Sequence, residues 1–391
     1  MVKKWTSRER VKAALEHREP DRVPIDINPV LDFYLDLKKY LGLDIQEDLH
    51  PNSAMEVIPH PSVLSELGVD LISVKLGAPK GAKRDPRADD LIEDEWGVLR
   101  KRVFQPGGGS YLEVVQPPLV GATTENLKNY PWPIPAVPGR GEGAEQTAKR
   151  LYEETDLALV GRFGGPIIET CVHMLGWKEW LVKLGRDPDF CHTLLEIVTN
   201  IQIALDRIGL EATAKYLSIF KLSGEDLGMQ TGPLYSPRMS TEILLPYPRR
   251  RCQAARAYLD DVNPDAKIML HSCGSIRSYI PQLIEIGIQV LDPVQPKARN
   301  MDSVQLKAAF GDQLAFHCGV DIQEVLPFGT KEEVEAETSL RIGAFGTGGG
   351  CILCPSHAVQ ADVPPENLVA MCRTGLEKGI YPLEVKELNT A

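Results

Sequence analysis

The chain has 391 residues, 43% hydrophobic and 25% charged, with a formal net charge of −11. That composition is ordinary for a globular protein, and the acidity argues against nucleic acid or an anionic membrane as partner. No stretch is apolar and long enough for a transmembrane helix, and the opening MVKKWTSRERVKAAL lacks a signal-peptide apolar run, so a cytoplasmic protein is expected.

In chain order, short apolar or β-branched runs alternate with amphipathic stretches. Thr6 or Ser7 caps a first helix, without a capping box because Arg10 stands where Ser7 would need Glu. Eight strands are predicted: Arg22–Ile27, Val69–Lys75, Leu157–Phe163, Leu217–Leu222, Lys267–His271, Val290–Val294, Leu314–Cys318 and Cys351–Cys354. Their near-continuous apolarity suits buried parallel strands. Helices are expected over Asp187–Arg207, Pro237–Leu245, Ile276–Gly287, Met301–Phe310 and Thr330–Phe345, the last with a Thr330/Glu333 capping box. Residues 85–121 break the rhythm with two alternating runs around PGGGS, which read as a β-hairpin; 122–140 read as an irregular connection. The expectation is one (β/α)8 TIM barrel over residues 1–391, with a β-hairpin insertion between strands two and three. GxGxxG and Walker sequences are absent, and the Gly-rich GTGGGC at 346–351 leads into a strand rather than a helix.

Barrel active sites gather at the C-terminal strand ends. Those ends carry Asp26 and Asn28; Lys75; Glu225, Asp226 and Gln230; His271 and Cys273; Asp292 and Gln295; Cys318, Asp321 and Gln323; Cys354 and His357. His271-x-Cys273 is the sharpest feature. Residues two apart in a strand share a face, so an imidazole and a thiolate can meet one ion, and zinc favours such donors. By spacing alone a lone HxC is more often a satisfied strand-end histidine beside a buried thiol, and what weighs against that here is the supply of third ligands on strand eight. Cys354 and His357 are candidate third ligands. In the Cys351-x-x-Cys354 pair one thiol is expected in the core and Cys354 near the site. His317 is expected outside the lumen, opposite Cys318. Glu225 and Asp226 read as general acid/base, ligand or orienting groups, or as a solvated loop. Arg249–Arg251 read as a solvated helix face.

Several segments together resemble the uroporphyrinogen decarboxylase superfamily: TSRERVKAALEHREPDRVPIDI at the start, GEDLGMQTGPLYSP at 224–237, HSCGS at 271–275, LDPVQP at 291–296, FHCGVDIQEVLPFGTKEEV at 316–334 and GGGCILCPSHAVQADVPPENL at 348–368. The resemblance covers essentially the whole chain and is strongest after residue 215. It implies one of two activities: metal-free decarboxylation of uroporphyrinogen III, or corrinoid-linked methyl transfer with a zinc-bound thiolate. The decarboxylase pattern has an Arg-rich motif after the first strand, and here no arginine lies between Arg22 and Arg84. The methyltransferase pattern has His-x-Cys at strand five and a further Cys in the strand-eight loop. His271 and Cys273 match; at the second position stands His357, with Cys354 three residues earlier.

The resemblance therefore implies a methyltransferase holding zinc on His271, Cys273 and either His357 or Cys354, working with a corrinoid protein. Glu225, Asp226 and Asp292 are its expected catalytic groups. Asp26, Asn28, Gln230, Gln295, Cys318, Asp321 and Gln323 are its expected substrate contacts. The alternative is a cofactor-free lyase acting on a tetrapyrrole or other carboxylated substrate, with Asp26 and Asp292 as its acids. Oligomeric state is open between monomer and homodimer.

Overall fold

The computed structural model describes residues 5–47, 57–80, 91–104 and 109–383. Its strands are β1 (Leu71–Lys75), β2 (Leu91–Glu93), β3 (Leu99–Phe104), β4 (Ser110–Gln116), β5 (Ala158–Arg162), β6 (Leu217–Gly224), β7 (Gly228–Met229), β8 (Gly232–Pro233), β9 (Lys267–His271), β10 (Val290–Val294), β11 (Ala315–Val320) and β12 (Cys351–Pro355). Seven of them form a parallel sheet in the order β1-β5-β6-β9-β10-β11-β12, with helices in the crossovers. This is the α/β arrangement of a TIM-like barrel.

The first expected strand is not one. Residues 22–29 make single bridges instead, Ile25 with Leu353 and Pro29 with Val359 in parallel sense. Asp26 N–H donates to the Leu353 carbonyl, Leu353 N–H to the Pro24 carbonyl, and Asp70 N–H to the Ile25 carbonyl. The segment thus touches both edge strands of the sheet. Pro24 and Pro29 have no N–H for a ladder, and Ile25 spends its own on the Asp70 carboxylate at 2.8 Å.

Between β1 and β5 in the chain, β2, β3 and β4 form a separate antiparallel sheet. Residues 81–90 and 105–108, where the expected excursion begins and turns, lie outside the described residues.

Helix α1 (Ser7–Leu15) is capped by Thr6, with Glu9 completing the capping box that Ser7 and Arg10 could not make. Helix α2 (Pro188–Thr213) starts at Asp187 with Pro188 in its first turn, and α3 (Lys331–Gly346) starts on the expected Thr330/Glu333 box. The Pro237–Leu245 stretch is broken: one α-turn, then a π-turn over Ser240–Leu244, before α4 (Pro246–Val262). Helix α4 buries Arg251, which pairs with Asp206 of α2 at 2.6 Å, so only Arg249 and Arg250 of that triplet meet solvent.

Val11 and Leu15 of α1 pack with Leu71, Ala158, Val160, Ile219, Met269, Val290, Ala315 and Ile352 in one apolar cluster. Two residues further along each strand, the same face carries Arg162, Lys221, His271, Asp292, His317 and Cys354, all lining a pocket. The inner face is therefore apolar at the strand starts, closed by α1, and polar at the strand ends. Period-two geometry produces this division within strands of only five to eight residues.

Candidate metal centre and pocket

The pocket is a cavity of about 50 Å3. At its centre is Asp292, 5% exposed. Its Oδ2 accepts from Lys221 Nζ at 2.6 Å and meets His271 Nδ1 at 2.8 Å, and its Oδ1 meets His317 Nδ1 at 2.5 Å. His317 Nε2 reaches Asp26 Oδ2 at 3.0 Å. On the other side, His271 Nε2 is 3.1 Å from Cys273 Sγ, and the rings of His271 and His357 meet edge-on with centroids 5.6 Å apart. One hydrogen-bonded line thus runs from Cys273 through His271, Asp292 and His317 to Asp26.

Cys273 follows the end of β9, and its loop is held by two side chains. Its N–H donates to Asp226 Oδ1 at 3.0 Å, and the Gly274 N–H donates to Gln295 Oε1 at 2.7 Å. Gly274 has φ +81°, and a Cβ there would sit 2.6 Å from the Gly228 carbonyl carbon, so only glycine fits.

Among the described residues, two groups place possible ligand atoms within 4.8 Å of one another: His271, Cys273 and His357; and Asp292, His317 and Cys354. Charge separates them. In the second group Lys221 already sits on the carboxylate. Burial pushes the Asp292 carboxyl up, but Lys221 and His317 hold it well below the usual range. Burial also sends the Cys354 thiol up to about 12 despite His317, so it is a neutral thiol at neutral pH. A cation there would displace or face a buried lysine.

The first group differs. Burial alone would raise the Cys273 thiol, but His271 and His357 draw it below its ordinary value. Burial would lower His271, yet Cys273 and Asp292 hold it well above the ordinary value. Two imidazoles and a thiol biased toward thiolate are a donor set that fits zinc, with a fourth position left for a small molecule. The Asp292 contact to Nδ1 fixes the ring so that Nε2 faces Cys273.

Of the two acids beyond β6, one supports a neighbouring loop and one stands beside this group. Glu225 is buried, accepts from the Ile167 and Ile168 N–H groups at 2.7 and 2.8 Å, and its carboxyl is raised to about 7 by burial against those bonds. It braces the β5 loop rather than lining the pocket. Asp226 Oδ1 stands 3.8 Å from His271 Nε2. Burial together with repulsion from Asp226 keeps the Glu169 carboxyl well above the usual range.

The structure brings His271, Cys273, His357, Asp226 and Asp292 together, with Asp26 and Asn28 in the pocket lining. It places Cys354 in that lining too, beside His317 rather than Cys273. Gln295 acts on the Cys273 loop. Four residues lie elsewhere. Cys318 is in the outer core, its Sγ 2.8 Å from that of Cys351. Asp321 caps the next turn through the Gln323, Glu324 and Val325 N–H groups. Gln323 and Gln230 are exposed.

His317, expected outside, lines the pocket, while Cys318 faces out. The two do point oppositely, but Ala315 in the inner cluster sets the parity. Sequence reasoning also passed over Lys221, Arg162 and Glu169. Lys221 had a signal: a lone charge in the apolar run LSIFKL, in phase with Ile219.

Residues 104–376 match the family profile described as uroporphyrinogen decarboxylase (URO-D). No curated protein matches the chain in sequence. Among solved structures, a methyltransferase from Methanosarcina mazei superposes with a TM-score of 0.64 at 16% identity, covering 96% of this chain and 99% of that one. The Ignisphaera aggregans GH53 catalytic domain gives a TM-score of 0.33 at 12% identity, over 90% of this chain and 99% of that chain. A Penicillium canescens endo-1,4-beta-xylanase, XylE, gives 0.30 at 13% identity, over 42% and 55%.

Proposed function

The chain belongs to the uroporphyrinogen decarboxylase (URO-D) family, and from that premise we propose that it is a zinc-dependent methyltransferase that works with a corrinoid protein. The observation that carries this reading is the convergence of His271, Cys273 and His357 at the rim of a pocket, with Cys273 biased toward thiolate. These three residues would hold the metal. Zinc, when bound, supplies the Lewis acidity that keeps a coordinated substrate thiol, or another methyl-bearing or methyl-accepting group, in its reactive form.

The chain's own residues do the rest. Asp292, fixed by Lys221, orients His271. Gln295 and Asp226 fix the Cys273 loop. Asp226, 3.8 Å from His271 Nε2, stands beside the donors and can take up the proton an incoming thiol loses. The corrinoid domain would present its methyl group at the open strand ends.

The pocket also holds Asp26 and Asp292 with three cations, which favours a second reading, a metal-free carboxy-lyase. Elemental analysis of tag-free protein beside Cys273→Ala separates the two. About one zinc per chain, lost in the variant together with methyl transfer from methylcobalamin to thiols, supports the first reading. Absence of zinc from both proteins after incubation with the ion sinks it and makes decarboxylation the activity to assay.

A further inference from the structure

The antiparallel sheet of β2, β3 and β4 has two unlike faces. Even-numbered positions of β3 and β4 turn toward the body of the protein. Arg100 reaches Asp94 and His173, Arg102 is buried beside Ser110, and Val114 packs on the main core. Odd-numbered positions therefore turn away. They include Leu91, Leu99, Val103, Tyr111 and Val115, and of these Leu91, Tyr111 and Val115 are 52%, 41% and 43% exposed. Three charges stand among them, Glu93, Lys101 and Glu113. The free face of an antiparallel sheet is ordinarily polar, and a sheet with apolar groups on both faces calls for a second layer.

The register decides what that layer can be. Lys101 is the partner of Glu113 and Val103 that of Tyr111, and Leu99 lies opposite Gln116 at a bulge that adds Val115. A two-fold axis parallel to the strands, between β3 and β4, lays β3 of one copy over β4 of the other. Lys101 then meets the partner's Glu113, Val103 meets the partner's Tyr111, and Leu99 meets the partner's Val115. Each rung sets a charge against its opposite or an apolar group against another, so the face is complementary to itself. A surface shaped for a different protein has no need of that symmetry.

We propose that this face is where two copies of the chain meet, the two small sheets stacking as a six-stranded sandwich. The face is small, only three strands at about 4.8 Å spacing, and the chain's net charge of −11 opposes the approach of a second copy. Association is therefore weak, with a dissociation constant of roughly ten to a hundred micromolar.

Sedimentation velocity on the full chain, from about 5 to about 500 µM, tests it. The chain passes from monomer to dimer across that range. Lys101→Glu and Glu113→Lys each raise the dissociation constant about 10-fold or more, because like charges then face each other, and the double variant with both reversals returns to within about 3-fold of the starting value. Tyr111→Ser weakens the dimer about 10-fold without touching a charge. Thermal melts of the same samples show that the variants are folded. If Lys101→Glu does not fold, Glu113→Lys and Tyr111→Ser, both on the edge strand β4, carry the test. A chain that stays monomeric throughout overturns the inference and leaves the face to a different protein. A dimer indifferent to the reversals and to Tyr111→Ser, or a double variant as weak as the single ones, overturns it as well.

Discussion

Two buried carboxylates, at opposite ends of the same sheet, are surrounded by cations and yet do different work. Asp70, immediately before β1, is fully buried and bound by Ser7, Arg10, Arg22 and the Ile25 N–H at 2.7–3.0 Å. Asp292, on β10, is bound by Lys221, His271 and His317. The partners of Asp70 are always charged or have nothing to titrate, and they staple α1 and the irregular 22–29 segment to the sheet. Two of the Asp292 partners are imidazoles, which exchange protons and bind metals, and they open on a pocket. Arginines leave Asp70 only a structural part, whereas the imidazoles give Asp292 partners able to bind a metal or exchange a proton.

The comparison can be broken from either side. The largest effect is expected at the structural end. Asp70→Ala leaves two arginines facing an apolar base and should cost about 3–5 kcal/mol in urea unfolding, while protein that does fold keeps its zinc stoichiometry. Loss of zinc at unchanged stability would reverse the assignment of the two ends.

Asp292→Asn should weaken zinc binding about 10- to 100-fold, measured against a chelator, with a smaller loss of stability. Unchanged affinity would mean that His271 needs no orienting partner. Gly274→Ala imposes a side chain at φ +81° against the Gly228 backbone. It should cost about 1–2 kcal/mol and loosen zinc binding by displacing Cys273. Normal zinc binding in that variant would show that the loop tolerates movement.

The smallest effect is a shift in pH. In metal-free protein the lowered Cys273 pKa and the raised His271 pKa define a window in which thiolate and imidazolium coexist. The stabilisation from Cys273 is lost as pH falls through its lowered value, and that from His271 as pH rises through its raised one. Alkylation of Cys273 by iodoacetamide should therefore persist below the usual thiol range, and in His271→Ala it should retreat to higher pH. Identical profiles would remove the ion pair from the account.

Much of this was legible in the residues. Seven of eight expected strands are present, and the strand ends did contain His271, Cys273, Asp292 and His357. The exceptions have physical reasons. The 22–27 run is apolar enough for a strand, but Pro24 and the Asp70 carboxylate take the ladder's place. Gln230, Asp321 and Gln323 also follow strand ends, but turn geometry sends them to caps and solvent. Arg251 read as surface because a triplet of arginines on one helix usually is; its partner Asp206 is 45 residues away on α2.

The sequence by itself determined the period-two alternation, the succession of strands and helices, and the chemical types available at the strand ends, because these depend on neighbours along the chain. Only the tertiary structure decided which parity faces inward. It chose His317 over Cys318 and brought His357 rather than Cys354 to Cys273. A one-residue change of phase turns every side chain of a strand over, and only pairing register and packing against α1 hold that phase.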